Sequence, residues 1–123
     1  MACIKEGPTG TPDIKDFFLR PAGNNINLGT LRLSTNGAKI KGVRVGHATE
    51  TLEGKCDTAK GIRFAITLEG ALYFLKGTVT PNSSGGETLA GDYFVAAVSA
   101  AQSTSLPTPE VGDTGTWGGS TGT

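Results

Sequence analysis

Apolar and polar residues alternate with a period of two through the middle of the chain, most clearly in "IRFAITLE". The apolar residues that share one face of this segment are Ile62, Phe64, Ile66 and Leu68. Such alternation predicts a half-buried β-strand. The next segment, "ALYFLKGTVT", has apolar residues on both faces. We therefore expect a second strand that is covered on both sides, or covered on one side by a neighbouring subunit.

A β-hairpin is predicted where Asn-Gly at 36–37 separates two alternating runs in "TLRLSTNGAKIKGVRV". A two-residue turn at Asn-Gly puts Arg32 opposite Lys41, and a bulge at Gly42 would keep Arg44 on the same outer face. The four cations that this face would carry are Arg32, Lys39, Lys41 and Arg44. The face is either a solvated surface that discourages edge pairing or a dock for carboxylates or phosphates.

The remaining pattern predicts a mainly β fold, either a small β-barrel or a sandwich, of five to seven strands and at most one or two short helices. Residues 88–102 fit both a helical stripe and a buried strand. A strand is favoured because Gly91 would interrupt a helix. Predicted domain boundaries give an N-terminal arm with a short anchor at 1–20, a β domain at 21–102 and an extended Gly/Thr-rich C-terminal arm at 103–123.

Composition adds that the 123 residues include 19 Gly and have zero net charge. The charges are unevenly spread, because ten of the eleven Lys and Arg lie in residues 1–63. Either the two halves pair internally, or the molecule has a positive and a negative face suited to head-to-tail contact. The chain has no apolar run long enough for a membrane span and no secretory signal at its start, so we expect it to be made in the cytoplasm.

Candidate chemistry is sparse. Cys3 and Cys56 are expected to be reduced thiols in that compartment, with a disulfide as the alternative. His47 is the single histidine, and two cysteines with one histidine make no recognised metal pattern. We expect the protein to have no enzymatic activity, no cofactor and no metal site.

The predicted arms carry the binding hypothesis. Trp117 lies in the Gly/Thr-rich segment "VGDTGTWGGSTGT", where a large side chain suits insertion into a partner. The alternative is a Trp that folds back on its own domain. The residues predicted to bind a partner are Trp117, Leu106 and Pro107 in the C-terminal arm, Pro8 and Ile14 near the N-terminus, and Arg32, Lys39, Lys41 and Arg44 on the basic face. Deleting residues 107–123 is then expected to leave the body folded and abolish assembly.

The segments "EGPTGTPDI", "FAITLEGALYFLKG" and "TLAGDYF" resemble bacteriophage head decoration (capsid cement) proteins in their organisation. The resemblance implies a small β-rich, non-enzymatic structural protein of the virion, made in the host cytoplasm, that binds and stabilises a capsid or similar protein lattice. It implies the major capsid protein or copies of the chain itself as partners, with a homo-oligomer expected.

Two alternatives stay open. One is a self-polymerising filament or tail-tube subunit. The other is a small glycan- or peptide-binding module with Tyr73, Tyr93 and Phe94 as its platform. Nucleic acid is not expected as a partner because no aromatic residues are interleaved with the basic hairpin face, and no membrane contact is expected.

Overall fold

The computed structural model describes residues 13–21, 24–36, 38–57, 61–81, 83, 86–99 and 110–121. Its eight strands are β1 (Asp13–Pro21), β2 (Ile26–Asn36), β3 (Lys39–Arg44), β4 (His47–Asp57), β5 (Gly61–Leu68), β6 (Ala71–Pro81), β7 (Glu87–Val98) and β8 (Thr114–Thr121). Each strand pairs antiparallel with the next, and β8 pairs with β1, so the sheet closes into a barrel. The described residues contain no helix. The prediction of a mainly β fold built as a small barrel is confirmed. The described residues form eight strands, so the predicted number of five to seven is wrong.

Inward-facing residues form one continuous apolar core, as strand alternation requires. The four apolar residues of "IRFAITLE" all point inward on β5, as their spacing predicted. The largest fully buried side chains are Trp117, Phe17, Ile14, Leu19, Leu31, Leu33, Ile40, Ile62, Ile66, Leu68 and Leu75. Because a closed barrel has one layer of sheet, nothing else in the fold is needed to cover this core.

The β2–β3 hairpin has a different register from the predicted one. Arg32 pairs with Val43 rather than with Lys41, and Leu31 pairs with Arg44. The pairing runs through Gly42 without a bulge, so strict alternation turns Arg44 inward. The only irregularity of β3 lies on its other side, between Val43 and Arg44 in the pairing with β4. The predicted bulge at Gly42 and the outward position of Arg44 are therefore wrong.

Residues 114–121 form a strand and not an extended arm, so the predicted boundary of the C-terminal arm is wrong for this segment. Trp117 is 1% exposed and lies inside the barrel. Its ring packs edge-on against Phe64 at a centroid distance of 5.3 Å and tilted against Phe17 at 6.2 Å. The indole Nε1–H donates to the Lys76 carbonyl at 3.0 Å. The structure therefore confirms the alternative, in which Trp117 folds back on its own domain.

Two further sequence predictions are decided by the fold. The strand interpretation of residues 88–102 is confirmed over Glu87–Val98. Cys56 is fully buried on β4 and is disulfide-bonded, so the prediction of a reduced thiol is wrong at this position. The second cysteine of the sequence, Cys3, lies outside the described residues.

Candidate binding groove on the outer face

The residues predicted to bind a partner do not come together. Ile14 is fully buried on β1 and Trp117 lies in the core, so neither side chain is presented to a partner as the arm hypothesis required. Both positions face inward on the strands that close the barrel, which is why the prediction that they bind a partner is wrong. Pro8, Leu106 and Pro107 lie outside the described residues.

Three of the four residues of the predicted basic face lie on the outer face of the β2–β3 hairpin, and the fourth, Arg44, does not. Arg32 is exposed on β2, with its Nε atom 3.8 Å from the Asp13 carboxylate. Lys41 is exposed on β3, with its Nζ atom 3.7 Å from the Glu53 carboxylate. Lys39 is exposed at the start of β3. Arg44 is buried inside the barrel, so it does not share a surface with the other three.

The Arg44 guanidinium instead organises a buried polar cluster. Its Nη1 atom lies 2.8 Å from Glu50 Oε1 and 3.9 Å from Glu69 Oε2. Its Nε–H donates to the Leu28 carbonyl at 2.7 Å, and Glu50 Oε2 accepts the Glu69 backbone N–H at 2.8 Å. A buried charge is tolerated when it is paired and hydrogen-bonded in this way. The cluster therefore explains why an arginine can occupy an inward position.

A groove with a volume of about 1000 Å³ lies on the outer face of β4 to β8. We call this the outer groove. An apolar row crosses it from strand to strand, because Ala65 pairs with Phe74 and Phe74 pairs with Phe94. The two phenylalanines are 42% and 45% exposed, and their rings meet nearly at right angles at a centroid distance of 5.3 Å.

A second row of side chains runs beside the apolar row and is basic. Lys39 pairs with Lys55, Lys55 pairs with Arg63, and Arg63 pairs with Lys76. We call these four residues the basic row. On each strand, the member of the basic row lies two residues from the position that belongs to the apolar row or extends it. The two rows are therefore about 7 Å apart. Because like charges directly opposite each other destabilise a sheet by tenths of a kcal/mol, the three successive pairs are locally unfavourable.

Acidic groups near the basic row compensate it only in part. Arg63 Nη1 lies 3.6 Å from the Asp57 carboxylate. Glu53 and Asp92 also line the groove. Among the described residues, neither Lys55 nor Lys76 has a carboxylate within 4.0 Å. Asp92 is the direct cross-strand neighbour of Lys76, whereas both direct neighbours of Lys55 are basic. The outer groove therefore combines exposed aromatic surface with a row of mostly uncompensated cations.

The tyrosines of the predicted glycan platform are buried in the barrel, and of the two only Tyr93 also lines the outer groove. Tyr73 and Tyr93 are both buried, and their rings meet at a centroid distance of 5.5 Å. Burial raises the pKa of Tyr73 to about 12, and burial likewise raises the pKa of Tyr93. Only Phe94 of that platform is on the outer surface. The platform predicted from the sequence is therefore wrong in its two tyrosines.

Sequence reasoning missed Phe74, Lys55, Arg63 and Lys76 as members of one site. One signal pointed there, namely the apolar residues on both faces of "ALYFLKGTVT". Because the barrel has a single layer, no second sheet covers the outer face of β6, and Phe74 is 42% exposed there. The basic row could not be found in the same way, since it depends on the register of four strands.

The fold and the outer groove define the protein as a closed, eight-stranded antiparallel barrel with an aromatic and basic groove on its outer face. Comparison with known protein families, with curated proteins and with solved structures finds no match. Within the described ranges, no three His, Cys, Asp or Glu side chains are grouped closely enough to hold a metal ion. The same residues form no helix long and apolar enough to cross a membrane.

Proposed function

We propose that this chain is a non-enzymatic structural protein that docks on a protein surface through the outer groove. The observation that carries the proposal is the Phe74–Phe94 pair. Both rings are close to half exposed although a barrel of this size can place apolar side chains inside. Aromatic anchors at the centre of a patch with charged residues around them are typical of protein interfaces.

The surface on which the chain docks is, in this proposal, a repeating protein lattice such as a capsid shell. The support is the resemblance in organisation to head decoration proteins, to which "FAITLEGALYFLKG" contributes. This segment contributes β5 and β6, which carry Arg63, Ala65, Phe74 and Lys76 in the groove. Docking through the arms stays a prediction, because residues 1–12 and 100–109 lie outside the described part of the chain.

The test is a selection of binders from a displayed library of random linear peptides against the folded chain, followed by a counter-screen against Phe74→Ala/Phe94→Ala. Peptides serve as probes because a protein partner offers the same backbone and side-chain chemistry. We expect the dominant binders to lose at least about tenfold in affinity on the double variant, since truncating buried aromatic anchors costs 1–2 kcal/mol or more each.

The matched control is Phe18→Ala, which removes an aromatic ring from the outer side of β1, away from the groove. Binding should be unchanged in this variant. Selected peptides that bind the double variant as tightly as the original chain would contradict the proposal.

A self-polymerising subunit is the competing proposal, and the solution mass separates the two. If a second copy of this chain fills the outer groove, the mass measured by light scattering will climb with concentration, and Phe74→Ala/Phe94→Ala will abolish the increase. A mass that stays constant means that the groove is open to a foreign partner.

A further inference from the structure

We infer that the segment bound in the outer groove is an extended peptide of alternating acidic and apolar residues. The inference rests on the proposed function, because it specifies the chemistry of the partner that docks there. It follows from two rows of side chains that are close together, parallel and chemically different.

The spacing of the rows sets the conformation of the partner. The apolar row and the basic row lie about 7 Å apart on the sheet surface. An extended chain that runs between them points successive side chains to opposite sides. Every second side chain then meets the Phe74–Phe94 pair, and the intervening ones meet Lys55, Arg63 and Lys76.

The charge of the basic row sets the other half of the partner's chemistry. Its three like-charge pairs repel each other in the free chain. Carboxylates placed above them would attract these cations and offset the repulsion. Lys55 and Lys76 have no carboxylate within 4.0 Å among the described residues. Acidic side chains of a partner are thus the groups that complement this edge of the groove.

A single-stranded nucleic acid could also combine stacking on phenylalanine with phosphate contacts. The charges favour the peptide. Glu53 and Asp92 line the same groove, where they would repel a continuous run of phosphates. The chain has zero net charge, whereas a nucleic-acid-binding domain of this size usually carries a strong positive excess. Because Asp92 pairs directly with Lys76, a peptide with separate carboxylates would place them mainly above the Lys55–Arg63 pair.

The experiment uses the peptides selected from the random library and three forms of the full chain. Fluorescence anisotropy measures the affinity of the tightest peptide for the original chain, for Lys55→Glu/Lys76→Glu and for Lys15→Glu. Lys15 is exposed on β1 and outside the groove, so its reversal is the matched control.

We expect acidic residues at alternate positions of the selected peptides, with apolar residues between them. We expect the affinity to fall about tenfold or more for Lys55→Glu/Lys76→Glu and less than about twofold for Lys15→Glu. The reason is that salt screens the attraction between distant charges much more than the attraction between charges in contact. The affinity should also fall as salt is added.

Three results would overturn the inference, and they separate it from the proposed function. Peptides that require Phe74 but carry no acidic residues, or that bind the charge-reversed chain equally well, would refute the acidic partner and leave the docking proposal standing. An oligothymidylate strand that binds more tightly than any peptide and is lost on charge reversal would replace the peptide by a nucleic acid. Binders that need neither phenylalanine would refute both proposals.

Discussion

Trp117 shares a cross-strand row of the barrel with two glycines. On the cross-strand row that contains it, Gly91 of β7 is its direct neighbour and Gly77 of β6 is next. The indole of β8 reaches the Lys76 carbonyl of β6, so it must pass over Gly91. A Cβ atom at position 91 would clash with the Lys76 carbonyl oxygen, which is the acceptor of the indole hydrogen bond. Glycine at this position therefore lets β6 and β7 approach closely and keeps that acceptor in place.

Replacing Trp117 by alanine should destabilise the barrel by about 3 to 5 kcal/mol, the usual cost of removing a buried aromatic side chain. Urea unfolding followed by circular dichroism measures this change without relying on tryptophan fluorescence. The control is Phe94→Ala, which removes a ring that is 45% exposed and should change the free energy of unfolding by less than about 1 kcal/mol. Equal stability of the two variants would contradict the core position of Trp117.

The Arg44→Ala variant tests whether the buried polar cluster stabilises the fold. Arg44→Ala leaves the Glu50 carboxylate buried without its cation, and we expect a loss of about 3 to 5 kcal/mol in the free energy of unfolding. Lys41→Ala removes one partner of the exposed Lys41–Glu53 pair and should cost less than about 1 kcal/mol. A loss at Arg44 no larger than the loss at Lys41 would mean that Arg44 lies at the surface, as the hairpin pattern alone suggested.

Tyr73 should make the stability of the barrel depend on pH in the alkaline range. The pKa of Tyr73 is about 12 in the folded chain, against an ordinary value of 10.0. The folded chain thus keeps a proton that the unfolded chain releases. The contribution of this proton to stability is fully present below pH 10. It is lost, by up to about 3 kcal/mol, as the pH rises through the folded-state pKa of about 12.

Urea unfolding at a series of pH values should therefore show a shallower decline for Tyr73→Phe than for the original chain, because phenylalanine cannot ionise. Part of the decline should persist in this variant, since the pKa of Tyr93 is raised as well. Identical pH slopes for the two chains would contradict the burial of the Tyr73 hydroxyl.

At the scale of strands, the sequence was informative wherever apolar residues alternate without interruption. In β5, every inward position was predicted correctly because one face is apolar throughout. In the β2–β3 hairpin, the apolar residues Val43 and Val45 suggested a change of face that does not occur. The physical reason is that Arg44 finds Glu50 and Glu69 inside the barrel. Such compensation comes from distant strands and leaves no local pattern.

The closing strand β8 was missed for a different reason. Its inward positions are Gly115, Trp117, Gly119 and Thr121, so only one of them is apolar and large. Periodicity arguments detect apolar side chains and cannot detect a strand in which only one of four inward positions carries one. Threonine at alternate positions in "TGTWGGST" was a weak strand signal. What decides the structure is the pairing of this segment with both β1 and β7.

A chain that ends at Asp113 lacks β8, and we expect it to lose cooperative unfolding and to aggregate. Both β1 and β7 would become unpaired edges, and the core would lose Trp117. The measurement is thermal unfolding together with size-exclusion chromatography, and a chain that ends at Thr121 is the control. This expectation reverses the one drawn from the sequence, in which removal of residues 107–123 left the body folded. A folded, monomeric chain ending at Asp113 would restore the arm hypothesis.

At the scale of the whole molecule, the barrel arranges the uneven charge of the sequence on its outer face. Lys39, Lys55 and Arg63 come from the basic first half of the chain, and the strand register aligns them with Lys76 from the second half. The fold class was accessible from the sequence because it depends on local alternation. The outer groove was not, because it depends on pairs of residues brought together by closure of the sheet.

The central claim is that a protein partner binds at the outer groove, and the most direct test is to map where a ligand lies. Correlation spectra of the isotope-labelled chain, recorded during titration with the tightest selected peptide, report which backbone amides change. We expect the largest shifts at Ala65, Phe74 and Phe94 and along the basic row, with little change on β1 and β2. Shifts confined to β1 and β2, with the groove residues unchanged, would contradict the account.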